Sequence, residues 1–124
     1  MPQNPPFRAI GAANNLVAVA GGIPTAPLAT SIVVAGTAVV VATGPINGGF
    51  ITNPYNAAAQ GVGSAENLYV DCINTPGSTD AAGNGTTSIV QPGQTFTLAA
   101  LPSGYSYRVN AASAGHKFTV NLWR

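Results

Sequence analysis

The sequence predicts a single all-β sandwich, jelly-roll-like in topology, with an immunoglobulin-like sandwich as the alternative. Short apolar runs recur along the 124 residues, separated by clusters of Gly, Pro and Asn that are typical of turns between strands. The runs predict about eight or nine short strands, and eight is the usual number in a jelly roll. No segment has the length and periodicity of a helix.

The first residues differ in composition from the rest. Residues 1–13 are rich in Pro, Asn and Gln. Proline fixes φ and lacks an N–H group, so this segment is expected to be an extended, polyproline II-like N-terminal arm. Residues 14–124 are expected to form the β-sandwich domain, and its first strand is predicted in the sequence NLVAVAGG at residues 15–22.

The longest apolar run, LATSIVVAGTAVVVATG at residues 28–44, raises the question of a membrane helix. A bilayer core needs about 20 apolar residues, and the run between Pro27 and Pro45 is shorter. Its many β-branched residues favour strands. We therefore expect two short buried strands, or one long strand bent at Gly36.

The middle of the chain predicts a short strand around Ile51, followed by a loop at residues 55–67 in which only residues 57–60 could form a helical turn before Gly61 and Gly63 stop it. In the sequence NLYVDCI, alternation places Leu68, Val70 and Cys72 on the buried face of a strand. A long polar loop is predicted at residues 74–85.

The second half contains two turn signals. The sequence QPGQ at residues 91–94 fits a type II turn and predicts a hairpin, and residues 102–104 predict a second reversal. After that reversal, alternation places Tyr105, Tyr107 and Val109 on one face.

The final run predicts a half-buried strand at the C-terminal end. Alternation in the sequence HKFTVNLWR directs two sets of side chains to opposite faces. The inward set is His116, Phe118, Val120 and Leu122, and the outward set is Lys117, Thr119, Asn121 and Trp123.

The chain carries very little charge. Charged residues make up 6% of the sequence, with a net charge of +1, and residues 9–65 contain none. Ordinary domains have about 25% charged residues. An uncharged surface loses little hydration energy when it is covered, which suits a protein packed against neighbours. Four scattered Lys and Arg residues form no basic patch, so neither nucleic acid nor a membrane is expected as a partner.

The sequence offers few groups for catalysis, and we expect no enzymatic activity, no cofactor and no metal site. The single histidine, His116, is expected to be structural, and Glu66, Asp71 and Asp80 are too far apart in sequence to form a local pair. Cys72 is the only cysteine, so no intrachain disulfide is possible, and we expect it to be a small buried residue. No export signal is visible, and with a single cysteine the chain is expected to mature in a reducing cytoplasm.

The candidate functional residues are therefore ones that bind a partner protein. Trp and Arg are over-represented in interface hot spots. The last strand ends in this pair, and the arm carries an aromatic residue and an arginine behind two prolines. The candidates are Pro5, Pro6, Phe7, Arg8, Trp123 and Arg124.

The chain resembles the capsid cement, or decoration, proteins of tailed bacteriophages. The resemblance lies in the size, the near absence of charge, the Pro-rich arm and the C-terminal sequence QPGQTFTLAALPSGYSYRVNAASAGHKFTV. It implies a jelly-roll or related β-domain that forms dimers or trimers. It also implies a location on the outside of the virion capsid, where such proteins bind the major capsid protein and stabilise its lattice.

Two alternatives stay open. One is a phage tail, neck or head-fibre component, which would also be β-rich and low in charge. The other is a carbohydrate-binding module, because small β-sandwiches often present aromatic side chains to sugars; its candidate residues are Tyr55, Tyr69, Tyr105 and Tyr107.

Overall fold

The computed structural model describes residues 22–73 and 87–124, which form two four-stranded antiparallel sheets. One short helix, α1 (Ala57–Gln60), lies between the third and fourth strands. Sheet I has the order β1-β8-β3-β6, and sheet II has the order β2-β7-β4-β5. The strands are β1 (Pro24–Thr25), β2 (Val39–Thr43), β3 (Gly48–Thr52), β4 (Leu68–Ile73), β5 (Ser88–Val90), β6 (Thr95–Leu98), β7 (Ser106–Asn110) and β8 (Thr119–Trp123).

The strand pairing is that of a jelly roll. β1 pairs with β8, β2 with β7, β3 with β6 and β4 with β5, all antiparallel. These four pairs correspond to one long antiparallel hairpin, β1 to β4 against β5 to β8, that is rolled up into two sheets. Rolling adds the pairs β3–β8 and β4–β7, which complete the two sheets. The predicted fold class is confirmed, and the immunoglobulin-like alternative, whose sheets have a different strand order, is not adopted.

The core lies between the two sheets and is built by strand alternation. In β8, Val120 and Leu122 point inward while Thr119 and Asn121 are exposed, as predicted. Both sheets and the loops at their ends contribute to one buried cluster. Its larger members are Ile32, Val41, Ile46, Ile51, Leu68, Val70, Val90, Leu98, Leu101, Tyr107, Val109, Phe118, Val120 and Leu122.

In the predicted loop at residues 55–67, residues 57–60 do form a helical turn. The side chain of Asn56 accepts a hydrogen bond from the N–H group of Ala59 and so caps the N-terminal end of α1. The helix ends at Gly61, which has left-handed backbone angles. It is too short to be stable alone, and it is held by the buried side chain of Gln60.

The first half of the apolar run at residues 28–44 does not form the predicted buried strand. Only its second half does so, as β2. Before β2, the N–H group of Thr37 donates to the carbonyl of Val34 and closes a tight turn, and this turn interrupts any strand ladder. Val33 and Val34 are 74% and 56% exposed, respectively. The β-branched composition indicated a strand, but it could not show that the turn would place these residues outside the core.

The turn at residues 91–94 is present, but the predicted hairpin is wrong. The N–H group of Gln94 donates to the carbonyl of Gln91, and Gly93 has a φ of 85°, which suits glycine. The flanking strands β5 and β6 belong to different sheets. The turn is therefore a corner of the sandwich, because the two strands pair with β4 and β3 and not with each other.

Alternation in the other strands is confirmed at four positions and fails at Tyr105 and Cys72. Leu68, Val70, Tyr107 and Val109 are buried as predicted. Tyr105 is 39% exposed, because it precedes β7 and sits at the end of the reversal at residues 102–104. The predicted arm, the predicted strand at residues 15–22 apart from its last residue, the domain boundary after residue 13 and the loop at residues 74–85 lie outside the described residues.

Replacing Gly49 in β3 by alanine is expected to destabilise the sandwich. A Cβ atom at this position would meet the backbone carbonyl oxygen of Asn121 in β8. Neither backbone can move without disturbing the β3–β8 ladder, so the loss should be at least about 1–3 kcal/mol in the free energy of unfolding. Gly63→Ala is the control, because a Cβ there meets nothing within 4 Å. Urea denaturation measures the free energy of unfolding of both variants, and equal losses in the two would contradict this packing.

Candidate functional site

A buried polar network links the two sheets through Asn53, which follows β3 and is fully buried. Its Nδ2 donates to the carbonyl of Val90 in β5 at 2.9 Å and to the carbonyl of Glu66, just before β4, at 3.0 Å. Its Oδ1 lies 3.0 Å from the Nε2 atoms of Gln60 and of His116. One side chain thereby joins elements of both sheets, the helix and the segment before β8.

Gln60 completes the network from the helix. Its Nε2 donates to Asn53 Oδ1 and to the carbonyl of Pro54 at 2.8 Å, and its Oε1 accepts from the N–H group of Glu66 at 2.9 Å. The backbone carbonyl of Gln60 accepts from the N–H group of Lys117. Because buried amides are costly when unpaired, these bonds fix α1 and the loop after it against β8.

His116 is fully buried, and its protonation is defined by the network. Asn53 Oδ1 is an acceptor, because the Nδ2 of the same amide donates to two carbonyls. The Nε2 of His116 must therefore carry the hydrogen, and in the neutral ring Nδ1 has none. Nδ1 lies 3.2 Å from Glu66 Oε2, and neither of these two buried atoms has a hydrogen-bond partner.

Two effects on the pKa of His116 oppose each other. Burial lowers the pKa of His116 and is the larger effect, while the carboxylate of Glu66 raises it, because a protonated Nδ1 would donate to that carboxylate. A carboxylate beside an imidazole is an arrangement that enzymes use to orient a base. Here Nε2 is committed to Asn53 and the ring is enclosed, so neither nitrogen is presented to a substrate.

The outer face of sheet I carries an aromatic groove. Its lining residues are Gly22, Pro24, Phe50, Asn121, Leu122 and Trp123, and its volume is about 320 Å³. A Cβ atom at Gly48 would lie 3.5 Å from two indole atoms of Trp123, an ordinary contact distance, so the indole ring lies against the sheet beside this glycine. Phe50 stands beside it, with ring centroids 6.1 Å apart and an angle of 67° between the planes. The two rings form an open corner.

The described strands of sheet I contain no charged residue. Around the aromatic groove, the outer face presents mainly threonine and asparagine side chains. Thr52 and Thr95 are cross-strand partners whose hydroxyl oxygens lie 2.9 Å apart. This face can therefore be covered without removing a charge from water.

A second uncharged surface is the exposed aliphatic segment, which we define as Leu28, Val33 and Val34. These side chains are 63%, 74% and 56% exposed, respectively. Ile32, next to Val33, is buried, and its N–H group donates to the carbonyl of His116 at 2.9 Å. The N–H group of Gly36 donates to the carbonyl of Ala111. The two valines are thus displayed from a backbone that is fixed on both sides.

Of the predicted partner-binding residues, Trp123 and Arg124 are described. Trp123 faces outward and is half-buried, because it packs on its own sheet. Arg124 is exposed, and its Nη2 donates to Thr25 Oγ1 at 3.4 Å. The other candidates, Pro5, Pro6, Phe7 and Arg8, lie outside the described residues. The alternation of β8 found Trp123, but its neighbour Phe50 was missed because pairing of β3 with β8 is not visible in the sequence.

The four tyrosines proposed for a sugar site occupy different environments. Tyr107 is buried, and its hydroxyl donates to the carbonyl of Ala99. Tyr55 is 74% exposed in the loop before α1, Tyr69 is half-buried in β4, and Tyr105 is exposed beside β7. They lie on separate elements, and the structure forms its aromatic corner from Phe50 and Trp123 instead.

The prediction that Cys72 is buried is wrong. The residue faces the gap between the sheets, as alternation predicted, but there it lines an open cleft of about 350 Å³ that β4 shares with Phe96 of β6 and Tyr107 of β7. Partial burial raises the pKa of the Cys72 thiol, and the neighbouring charge of Asp71 raises it further. The thiol therefore stays protonated and is a poor nucleophile.

In residues 22–73 and 87–124, no group of three or more His, Cys, Asp or Glu residues could hold a metal ion. No helix there has the length and hydropathy to cross a bilayer. Comparison of the chain with protein-family models, curated proteins and solved structures finds no match.

Replacing Asn53 by aspartate is expected to destabilise the protein strongly. The second oxygen would face the carbonyls of Val90 and Glu66, where the amide donates in the native protein. Each unpaired buried group costs about 1–3 kcal/mol, so the free energy of unfolding should fall by several kcal/mol. Asn47→Asp, at an exposed position, is the matched control and should change it by less than about 0.5 kcal/mol. Chemical denaturation tests this, and a tolerated Asn53→Asp would contradict the network.

The free energy of unfolding is expected to decrease as pH falls from 7 to 5. Burial lowers the pKa of His116 in the folded protein, so the unfolded chain takes up the proton first and acid favours unfolding, by at most about 1.4 kcal/mol per pH unit. Denaturation at pH 7, 6 and 5 measures the slope.

Two variants assign this slope to His116, the only histidine in the chain. His116→Asn should remove it. Glu66→Gln removes the group that raises the pKa of His116, so this pKa should be still lower in the folded variant. The decrease in its free energy of unfolding with falling pH should therefore continue to a lower pH than in the wild type. An increase in wild-type stability between pH 7 and 5 would show that the Glu66 interaction exceeds the effect of burial.

Proposed function

We propose that this chain is a structural protein that binds the outer surface of a tailed-bacteriophage capsid and stabilises the major capsid protein lattice. The observation that carries the proposal is the exposed aliphatic segment. It presents Leu28, Val33 and Val34 to solvent within a stretch, residues 9–65, that has no charged residue. Exposed apolar side chains on a fixed backbone favour a protein partner.

The geometry of the segment favours a preformed docking surface. Ile32 is anchored in the core and Gly36 is bonded to Ala111, so the turn between them is held before any partner binds. Little conformational entropy is then lost on association. The segment itself carries no charged residue, so covering its side chains removes no charge of its own from water.

The choice of a capsid as partner rests on the resemblance described above and on the kind of attachment that such surfaces provide. A small apolar surface gives modest affinity for one site. A repeating lattice multiplies it, because each bound copy that also contacts its neighbours is held at high effective concentration. The jelly roll is used widely for viral capsid domains, which is consistent with the proposal but is an argument from the fold alone.

Replacing the two valines should weaken capsid binding. Val33→Ser with Val34→Ser removes apolar area that the complex would bury, at about 1 kcal/mol or more for each side chain, so the dissociation constant should rise about tenfold or more. Co-sedimentation with capsids of the virus that encodes the chain measures this. Ile89→Ser is the control, because Ile89 is 49% exposed on β5, at the opposite edge of sheet II from β2.

Circular dichroism must show that both variants keep the wild-type fold. If wild-type protein does not pellet with capsids at all, the proposed function is wrong. If the double variant binds as tightly as the wild type, the exposed aliphatic segment is not the docking surface.

A further inference from the structure

We infer that the aromatic groove binds the proline-rich residues 2–8 of a second copy of this chain. The groove offers an indole lying on the sheet and a phenyl ring standing at 67° to it. Proline-rich segments dock in aromatic-lined grooves, because the extended proline helix is already ordered and its rings pack flat on aromatic faces. The sequence of residues 2–8, PQNPPFR, supplies two consecutive prolines followed by phenylalanine.

The lining of the groove favours an apolar occupant. Three of its residues contribute outward apolar side chains, namely Pro24, Phe50 and Trp123, and Asn121 is the single polar side chain among the lining residues. A sugar would leave most of its hydroxyl groups unpaired against such a surface. Proline and phenylalanine side chains lose no hydrogen bonds there, and no residue of the described strands of sheet I would lose a charge contact.

The direction of the chain at the groove favours a neighbouring copy as the source of the bound residues 2–8. Thr25 pairs with Leu122 and Pro24 with Trp123, and the N–H group of Ile23 donates to the carbonyl of Arg124. Followed backward from Thr25, the described chain runs past Trp123 and ends at Gly22, which lines the groove at the end of β8. There it points away from Phe50, which lies beside Asn121, and toward the side where an adjacent copy would lie.

The length of the connection is sufficient. About 13 residues lie between Arg8 and Gly22, and in extended form they reach about 45 Å, which exceeds the diameter of about 35 Å for a domain of this size. Residues 2–8 of one copy can thus reach the groove of an adjacent copy. The exchange links the two groups of candidate residues, Pro5 to Arg8 and Trp123, that the sequence singled out at opposite ends of the chain.

Trp123 is the only tryptophan in the chain, so its fluorescence reports on the groove. We would measure the molar mass by light scattering and the quenching of Trp123 by acrylamide, both over a wide range of concentrations of the full-length chain. The test variant is Pro5→Ser with Pro6→Ser and Phe7→Ser. The control variant, Gln3→Ser with Asn4→Ser, alters the same segment but keeps its apolar residues. Phe50→Ala removes one wall of the groove and keeps the reporter.

For the wild type and the control variant, the mass should rise above that of the monomer with concentration, and quenching should fall severalfold in the same range. The triple variant and Phe50→Ala should need about tenfold more protein, or stay monomeric, with Trp123 accessible throughout. A wild-type monomer at all concentrations would overturn the inference. So would protection of Trp123 that is lost in the triple variant but does not depend on concentration, because the occupant would then be the chain's own segment.

This experiment uses no capsids and does not rest on the proposed function. Self-association through the groove can be present when capsid binding is absent, and the two results are read separately. An oligomer whose mass is unchanged in both the triple variant and Phe50→Ala would show that copies associate through another surface, which also contradicts the inference.

Discussion

The structure depends on the hydrogen bonds of one buried amide. Asn53 donates to carbonyls next to and within strands of sheet II, and it accepts from Gln60 and from His116. All four hydrogen-bonding positions of the amide are used, so neither its orientation nor its partners can change without leaving a buried polar group unpaired. Apolar packing between two sheets tolerates small shifts, whereas this network fixes the end of β3 relative to β5, α1 and the segment before β8.

Both uncharged surfaces extend from the elements that this network positions. The carbonyl of His116 accepts from Ile32, which holds the turn that displays Val33 and Val34. His116 also precedes β8, at whose far end Trp123 lies over the glycines of the aromatic groove. A domain with few charges gains little from electrostatic steering or repulsion, so the shape of its apolar surfaces must select its partners. A rigid framework behind those surfaces serves that selection.

The sequence predicted those elements whose pattern is local. Alternation identified β8 and its inward set from His116 to Leu122, and the Gly61 signal ended the helix at the right position. The sequence-based predictions failed where pairing between segments far apart in the sequence determines the structure. The turn at residues 91–94 has the same chemistry in a hairpin and in a sandwich corner, and only the partners of β5 and β6 distinguish them. Asn53 and Glu66 carry no local signal, because their roles arise from segments that the fold brings together around His116.

The most direct test of the account is the number of copies of this chain in purified virions, measured by quantitative mass spectrometry against the major capsid protein. If the uncharged surfaces serve attachment to a capsid lattice, the chain should be present in a fixed ratio to the lattice sites of the head. A ratio that matches only the tail or a single vertex would assign the protein to a different part of the particle. Its absence from purified virions would contradict a role in the capsid.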